Sequence, residues 1–377
     1  MITLRTAVFG VLTIILLSGV PAQGSGVPTL TGFASLPATT FVPGSEPSGS
    51  LLGTAPINGV PVPFADQPVQ GFSGIARNRD GSFDVLSDNG YGNIGNSADF
   101  LLRIQRIVPD FGGKTIDVVG GLNLTDPFSH VPFPLTRADR VLTGADFDIE
   151  SIVKTGDGGY WIGDEFGPYL LHFDRAGRLL APPIPLPGVF APESAARAGV
   201  TPNLGSSKGF EGMAASTDGR FLYPLLEGTV TGDAPGSLRI SEFDLKTGGY
   251  TGRLWGYQME SPANAIGDFI AVGRGRFLVI ERDNNQGDAA LFKRIYTIGL
   301  DGRKSLLVDL LNIADPKHLG GPGDVFRFPF VTIEDVIVLD DRTIGVLNDN
   351  NFPFSSGRVA GRPDNNEFIT IRLPHKL

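Results

Sequence analysis

The amino-acid sequence predicts an all-β protein built from repeated sheets, and three observations lead to this fold class. Fifty-one glycines and 29 prolines among 377 residues are typical of many short strands joined by tight turns, and are too many for a helical protein. A hydrophobic content of 41% is sufficient for a large core. Five stretches of the chain share one pattern, which is a strand, a polar turn and a second strand.

Residues 1–22 are expected to be a secretory signal peptide, and residues 23–377 a single domain. Arg5 is followed by the apolar run AVFGVLTIILLS and then by GVPAQG, which offers small residues for cleavage after Ala22. The alternative is an uncleaved membrane anchor, but this run is short of the roughly 20 residues that a spanning helix needs. An exported chain without cysteine fits a bacterial periplasm or exterior, so we expect that location.

The charge of the chain restricts its partners. Without Arg5 the chain has 30 basic and 40 acidic residues, a net charge of −10. Such an acidic protein is not expected to bind nucleic acid or, after signal cleavage, an anionic membrane. We expect a monomer that acts on a small molecule.

The five similar stretches are each interpreted as a β-hairpin. They are FSGIARNRDGSFDVLSDNG from Phe72, IESIVKTGDGGYWIGDEFG from Ile149, FEGMAASTDGRFLYPLLEG from Phe210, GDFIAVGRGRFLVIERDN from Gly267 and IEDVIVLDDRTIGVLNDNN from Ile333. Most have Asp-Gly at the centre, which is a strong hairpin signal because a tight turn needs positive φ there. The flanking apolar runs are too continuous for strands with one face in water, so both faces are expected to be buried.

A third strand follows each hairpin, and usually a fourth. A β-propeller of four-stranded blades buries both faces of many such units. The last repeat ends after NEFITIRLP, so residues 29–37, TLTGFASLP, are expected to supply its outermost strand and to close the ring. Five blades are visible, and weaker sequence around residues 110–145 leaves a sixth blade open. The prediction is therefore a propeller of five to six blades.

The open end of each hairpin carries acidic residues. Residues equidistant from a hairpin turn lie opposite each other, so Glu211 is expected to face Glu227. The same rule pairs Ser73 with Asp88, Glu150 with Asp164 or Glu165, Asp268 with Glu281 or Asp283, and Glu334 with Asp349. The first strand of each blade lines the central channel, so these ends should converge on one mouth. The inner acids are then Glu150, Glu211, Asp268 and Glu334, and the outer acids are Asp88, Asp164, Glu227, Asp283 and Asp349.

This concentration of acids predicts a cation in the mouth. Two carboxylates about 8 Å apart repel by about 2 kcal/mol at an effective dielectric constant near 20. Oxygen ligands favour a hard cation, calcium above all, and further oxygens could come from the amides of Asn89, Asn284, Asn285, Asn350 and Asn351. The four histidines are scattered, which disfavours zinc. Two alternatives remain: the outer acids cap turns, or Arg77, Lys208 and Arg282 neutralise the ring.

Two short motifs match known signatures by letter only. Residues 90–95, GYGNIG, satisfy a dinucleotide-binding pattern, but no helix is expected after them. Residues 205–209, GSSKG, satisfy the nucleophile-elbow pattern around Ser207, yet a strand follows where a helix is needed. Neither motif is therefore expected to have the function of its signature.

Several motifs in order resemble one protein family. GFSGIA, DIESI, GFEGMA and TIEDV, with LSDNG, IGDEFGPYL, VIERDNNQG and LNDNNFPF, are similar to the bacterial phytase-like family with esterase-like activity. The similarity extends from about Phe72 to the C-terminus. It implies an exported propeller hydrolase related to the calcium-dependent propeller phytases, which bind bridging calcium and phosphate at one mouth.

These observations lead to one principal hypothesis and two alternatives. We expect a calcium-dependent ester hydrolase that acts on phosphate esters, with the inner acids as cation ligands. Its catalytic residues would be Glu150, Glu211, Lys208 and Arg282, the last two stabilising an anionic transition state. Near the predicted mouth only Arg77 and Arg137 add basic groups, which counts against inositol hexakisphosphate. The alternatives are a non-catalytic binding propeller with structural calcium, and a lactonase-like or sugar-oxidising propeller.

Overall fold

The protein is described by a computed structural model, which covers residues 26–273 and 275–377. The predicted signal peptide, residues 1–22, lies outside these described residues. The fold is all-β, as predicted, with one short helix, α1 (Pro192–Ala198), and a 3₁₀ turn at Gly287–Ala289. In the part of the chain that is described, no helix has the length and apolar character needed to cross a membrane.

The chain begins with β1 (Thr29–Leu36) and then forms four-stranded antiparallel sheets in succession. Sheet one contains β2 (Phe72–Arg77), β3 (Phe83–Ser87), β4 (Arg103–Asp110) and β5 (Thr115–Asn123). Sheet two contains β6 (Ile149–Lys154), β7 (Tyr160–Asp164), β8 (Tyr169–Phe173) and β9 (Ile184–Pro185). Sheet three contains β10 (Phe210–Ala215), β11 (Phe221–Leu226), β12 (Ser237–Asp244) and β13 (Gly249–Gln258).

Two further sheets complete the chain. Sheet four contains β14 (Ala265–Gly273), β15 (Arg276–Arg282), β16 (Lys293–Gly299) and β17 (Lys304–Asp309). The short strands β18 (Ile313–Ala314) and β19 (Val325–Phe326) form an antiparallel pair in the connection that follows. Sheet five contains β20 (Asp335–Asp340), β21 (Thr343–Leu347), β22 (Asn366–Arg372) and the N-terminal strand β1.

The five predicted hairpins are all present as the first two strands of the sheets. The turn glycines Gly81, Gly158 and Gly219 have φ values of 90°, 88° and 68°. A side chain is strained at such angles, which is the physical reason for Asp-Gly at these turns. The local turn signal was therefore sufficient to locate the hairpins.

The N-terminal strand completes the last sheet. Strand β1 pairs antiparallel with β22, from Thr29 opposite Arg372 to Leu36 opposite Asn366. The expectation that residues 29–37 supply the outermost strand of the last repeat is thus confirmed. A single bridge between Ser35 and Thr115 also connects β1 to β5. Residues 110–145 contribute β5 to sheet one and do not form a sheet of their own.

Apolar layers fill the spaces between neighbouring sheets. One buried layer lies between sheets one and two, and others lie between two and three, three and four, four and five, and five and one. The first strands are also in contact in the order β2, β6, β10, β14, β20 and again β2. The open ends of all five hairpins consequently lie around one common centre.

Candidate functional site

A β-bulge interrupts the first strand of sheets one to four close to its acidic end. In sheet two, Ile149 pairs with Asp164 and Ser151 with Gly163, so Glu150 is the extra residue. Glu211 is the extra residue of sheet three, where Phe210 pairs with Leu226 and Gly212 with Leu225. A bulge leaves its extra residue without a cross-strand partner and turns its side chain out of the regular alternation.

The predicted opposite pairs are wrong by one or two positions, and the bulges contribute to this shift. Glu227 donates its backbone N–H to Gly209 O at 2.9 Å, so it does not lie opposite Glu211. The same shift occurs in the other sheets: Asp88 bonds Gly71, Glu165 bonds Asp148, Ile266 pairs with Glu281, and Glu334 bonds Leu347. The equidistance rule assumes an uninterrupted ladder, and one inserted residue breaks it.

Asp268 is a predicted inner acid that does not occupy the bulge position of its sheet. Gly267 occupies the bulge position of sheet four, so Asp268 comes one residue later. Its Oδ1 accepts a hydrogen bond from Phe269 N–H at 2.7 Å and its Oδ2 from Val336 N–H at 2.8 Å. Burial raises its pKa to about 7. Asp268 thus connects sheets four and five, with both carboxylate oxygens engaged by backbone.

Five buried carboxylates form two overlapping groups near the other bulges. We call Asp148, Glu150 and Glu165 the first triad, and Glu165, Glu211 and Glu227 the second triad. Within each triad one oxygen from every residue lies within 4.8 Å of the others. Glu165 belongs to both triads. The structure therefore brings Glu150, Glu211 and Glu227 together, as expected, and adds Asp148 and Glu165.

Three oxygens of the triads have no hydrogen-bond partner although they are buried: Asp148 Oδ1, Glu165 Oε1 and Glu211 Oε1. A buried charged group without a partner is unstable by several kcal/mol, so each oxygen calls for a proton or a cation. Oxygen donors in this number and with this charge are what calcium and magnesium prefer. The residues present therefore fit a hard divalent cation.

The electrostatics of the triads point the same way. Burial, and then the charge of Asp148, raises the pKa of Glu150 well above its usual range. Burial and the charge of Glu227 do the same to Glu165 and to Glu211. Carboxylates so close together in a low-dielectric environment do not ionise together unless positive charge is added.

Three further predicted acids lie beside the triads. Glu334 Oε2 accepts a hydrogen bond from Ser73 Oγ at 2.9 Å, which places Ser73, the bulge residue of sheet one, in the same ring. Burial and the charge of Asp349 raise the pKa of Glu334 to about 8, and burial raises that of Asp349 to about 6. Asp349 also accepts from Asn351 N–H and Thr332 Oγ1. Burial and Asp349 raise the pKa of Asp88 well above its usual range.

Asp164 and Asp283 act as turn caps. Asp164 Oδ1 accepts from Asp148 N–H at 2.8 Å, and its Oδ2 from Gly167 N–H at 2.7 Å. Asp283 accepts from three backbone N–H groups in the loop after β15 and pairs with Lys293 Nζ at 3.0 Å. For these two outer acids the capping alternative describes the geometry. Of the predicted asparagine ligands, Asn89 is likewise a turn cap, since its Oδ1 accepts from Tyr91 and Gly92 N–H.

Two basic side chains reach the second triad. Lys208 Nζ donates to Glu227 and keeps a side chain that is 42% exposed. The buried Arg282 places Nη2 3.3 Å from Glu334 Oε1 and 3.7 Å from Glu227 Oε1. Arg77 and Arg137, also considered at the mouth, are elsewhere: Arg77 bonds Leu339 O and Arg137 pairs with surface acids.

Sequence reasoning missed Asp148 and reduced Glu165 to an alternative for Asp164. Both residues stand next to a recognised motif, in FDIES and GDEFG; Glu165 was one of two partners considered for Glu150, whereas Asp148 lies two residues before the position that the rule uses. A signal was available in the two-residue spacing of Asp148 and Glu150, which the hairpin register did not use. Of the two signature matches, residues 90–95 form turns with no helix after them, and the Ser207 hydroxyl donates to Asp148.

Known proteins similar to this chain were found at three levels. An uncharacterised secreted protein of Arthroderma benhamiae is 27% identical over 184 residues, covering 38% of this chain and 36% of that protein. The chain thus spans about a third of the length of this relative. A solved structure from Lactobacillus plantarum is 14% identical, with 77% of this chain and 67% of that one covered and a TM-score of 0.37. The GH43 β-1,3-galactosidase is 10% identical, with coverage of 85% and 58% and a TM-score of 0.45.

A family model gives the assignment. The model described as phytase-like, esterase-like activity of phytase, matches residues 67–352, which is most of the chain and includes all five acids of the triads. This match confirms the resemblance inferred from the motifs. The chain therefore belongs to the phytase-like family described by the esterase-like activity of phytase.

Proposed function

We propose that the protein is an exported, calcium-dependent hydrolase of phosphate esters, with its reaction centre at the two carboxylate triads. The family description names an esterase-like activity, and a similar protein is described as secreted. The observation that carries the proposal is the set of three buried, unpartnered oxygens on Asp148, Glu165 and Glu211. They lie in two triads that share one glutamate.

The first triad is the better cation site. Among residues 26–273 and 275–377, no lysine or arginine forms a salt bridge with Asp148, Glu150 or Glu165. The second triad is already partly neutralised by Lys208 and Arg282. Asp148, Glu150 and Glu165 would hold the cation. A divalent cation there would stabilise negative charge on the reacting group and lower the pKa of a water molecule at the site.

The second triad supplies a proton acceptor. Glu211 Oε1 is unpaired, and burial with the charge of Glu227 raises the pKa of Glu211 well above its usual range. A carboxylate with a raised pKa is an effective general base near neutral pH. Water attacks the phosphorus atom, Glu211 takes one proton from this water, and the bond from phosphorus to the alcohol oxygen breaks. The alcohol leaves with a proton from solvent.

Positive charge for the anionic transition state comes from Lys208 and Arg282. Lys208 is partly exposed and can contact a substrate that enters from solvent. Arg282 is buried behind Glu227 and Glu334 and contributes its field without being displaced. Preorganised donors of this kind stabilise developing negative charge more than solvent does.

We also propose that the five sheets close into a five-bladed propeller around this site. The cyclic contacts of the first strands and the apolar layer between sheets five and one support this arrangement. Strand β1 would fasten the ring by pairing with β22. Closure would keep the acidic ends of all five first strands at one mouth.

Hydrolysis of p-nitrophenyl phosphate and p-nitrophenyl acetate tests the function. The mature chain should lose phosphatase activity on chelation and regain it with calcium, and Glu211→Gln should abolish turnover while the protein stays folded. Glu46→Gln, a surface acid with a 56% exposed side chain, is the matched control. Full activity of Glu211→Gln, or activity that survives chelation, would contradict the proposal.

One observation favours a second candidate, which is a non-catalytic binding protein with a structural cation. All five acids of the triads are buried, so a cation held there would be shielded from solvent and from substrate. In this case neither ester would be hydrolysed, and calcium would still raise the melting temperature. The same assay, paired with a thermal scan, separates the two functions.

A further inference from the structure

One tripeptide, Ser207–Gly209, contacts both triads. Ser207 Oγ donates to Asp148 of the first triad, and Lys208 Nζ donates to Glu227 of the second. Gly209 packs against the shared Glu165: a Cβ atom on Gly209 would lie 2.5 Å from Glu165 Cα. Gly209 O also accepts the backbone N–H of Glu227 and of Glu211, at 2.9 and 3.2 Å. Only glycine permits this approach.

The tripeptide is firmly held by its surroundings. Leu204, just before it, is buried between sheets two and three and donates its N–H to Phe190 O at 3.1 Å. Lys208 O accepts a hydrogen bond from Gly228 N–H at 3.0 Å. These bonds fix the backbone on both sides of Ser207.

Ser207 has an unusual backbone conformation within this segment. Its φ is 47°, in the left-handed region that residues other than glycine and asparagine seldom adopt. Strained residues of this kind persist where the surrounding structure requires them, and they concentrate at functional sites. Here the strained backbone directs the Ser207 hydroxyl to Asp148, whose Oδ2 it contacts.

The consequence concerns the other oxygen of Asp148. With Oδ2 held by Ser207, Oδ1 of this triad residue remains buried and without a partner. When a hydrogen bond holds one oxygen of a carboxylate, the other oxygen points in a fixed direction. Hydrogen bonds to the ligands of a metal ion orient those ligands in the same way.

We propose that Ser207 is a positioning residue for the cation site, which fixes Asp148 so that Oδ1 faces Glu150 and Glu165. This inference rests on the proposed function, since it assumes that a cation binds at the first triad. Ser207 acts through Asp148 and does not itself contact the substrate. The GSSKG segment thus serves the site through a hydrogen bond and not through a nucleophile.

Calcium binding to the mature chain, measured by isothermal titration calorimetry, tests the inference. Ser207→Gly removes the hydroxyl and relieves the positive-φ strain, so the protein should stay folded while its calcium Kd rises about 10- to 100-fold. Ser207→Ala should raise Kd by a similar factor. Ser206→Ala is the matched control, because the neighbouring Ser206 is exposed and bonds Glu193 on α1; its Kd should stay within about twofold of wild type.

The outcomes separate the inference from the proposed function. If wild-type protein binds calcium and Ser207→Gly binds it equally well, the positioning role is refuted and the proposed function stands. If wild-type protein binds no calcium, the proposed cation site is refuted, and the inference with it. A raised Kd in Ser207→Ala but not in Ser207→Gly would assign the effect to backbone strain, which also refutes the role of the hydroxyl.

Discussion

Replacing Glu165 by glutamine should stabilise the protein without a divalent cation and should remove most of the stability that the cation adds. Glu165 belongs to both triads, is buried, and has an unpartnered Oε1. Burial and the charge of Glu227 raise the pKa of Glu165. In the cation-free protein Glu165 therefore either holds a proton, at a cost in free energy, or stays ionised and repels the neighbouring carboxylates. Glutamine has nearly the same shape and no charge. The cation-free variant should therefore be more stable than the wild type.

The expected magnitude follows from the spacing of the oxygens. Two carboxylate charges 4.8 Å apart repel by about 3 kcal/mol at an effective dielectric constant of 20. Protonation limits this cost to about 1.4 kcal/mol for each unit by which the working pH exceeds the ordinary pKa of the carboxyl group. We therefore expect Glu165→Gln to increase the free energy of unfolding by about 1–3 kcal/mol at pH 8 in the presence of a chelator.

Calcium offsets this gain, because it stabilises the wild type more than the variant. At a calcium concentration of 100 times its Kd, the wild type gains about 2.7 kcal/mol of stability. If loss of the shared ligand weakens binding about a hundredfold, the variant gains only about 0.4 kcal/mol at the same concentration. For a folded chain of about 350 residues this corresponds to a melting-temperature rise of about 4 °C in the wild type and below about 1 °C in the variant.

Urea unfolding and thermal scans at pH 8, each with chelator and with calcium, measure both effects. Glu46→Gln removes the same charge from the surface and should leave the calcium response unchanged. An undiminished calcium response in Glu165→Gln would refute the shared-ligand interpretation. A cation-free variant less stable than the wild type would refute the electrostatic reasoning.

Three further predictions concern the pH dependence of stability, the ion pairs of the buried Asp84, and the packing between sheets. The raised pKa values of the buried acids, about 8 at Glu334, mean that the folded state binds more protons than the unfolded chain, so stability in chelator should fall as pH rises from about 4 to 8. The calcium-induced rise in melting temperature should be larger at pH 8 than at pH 5.5, and the reverse order would contradict this reasoning. Burial opposes ionisation of Asp84, but hydrogen bonds from an arginine and a lysine lower its pKa to about 2. Asp84→Asn should therefore lower the free energy of unfolding in urea by about 2 kcal/mol at pH 7, and this difference from wild type should vanish as pH falls from about 4 to 2. Gly267→Ala should destabilise the protein by about 3 kcal/mol in the same assay, because its Cβ would lie 1.9 Å from Ile333 O, and an unchanged urea midpoint would refute the close packing of sheets four and five.

The sequence was sufficient for the sheets because their signals are local. Asp-Gly turns, continuous apolar runs and a last repeat that lacks a strand located the hairpins and the role of residues 29–37. Each of these features depends on residues within one hairpin, or on counting strands. The prediction of the family rested likewise on motifs that could be read in order.

The site was less predictable because it depends on register and on neighbouring sheets. The position of a bulge depends on how the first strands of neighbouring sheets pack together. The sequence GDFIA alone therefore does not show that Gly267, and not Asp268, is the extra residue. Asp148 reaches the site from the loop before β6, and Glu165 from the turn between β7 and β8. Which arginine reaches the acids could not be read from charge alone: Arg282 does so, whereas Arg77 points to the turns at the opposite end of the sheets.

The pairing of β1 with β22 has a consequence for biosynthesis. The first strand of the described chain completes a sheet whose other members lie at residues 335–372, so sheet five cannot form until these residues have been synthesised. Before β1 pairs with it, β22 presents an open edge that another copy's β1 could occupy, giving strand-exchanged dimers at high concentration. Export of an unfolded chain, followed by rapid capture of its own N-terminal strand, would favour the monomer over such exchange.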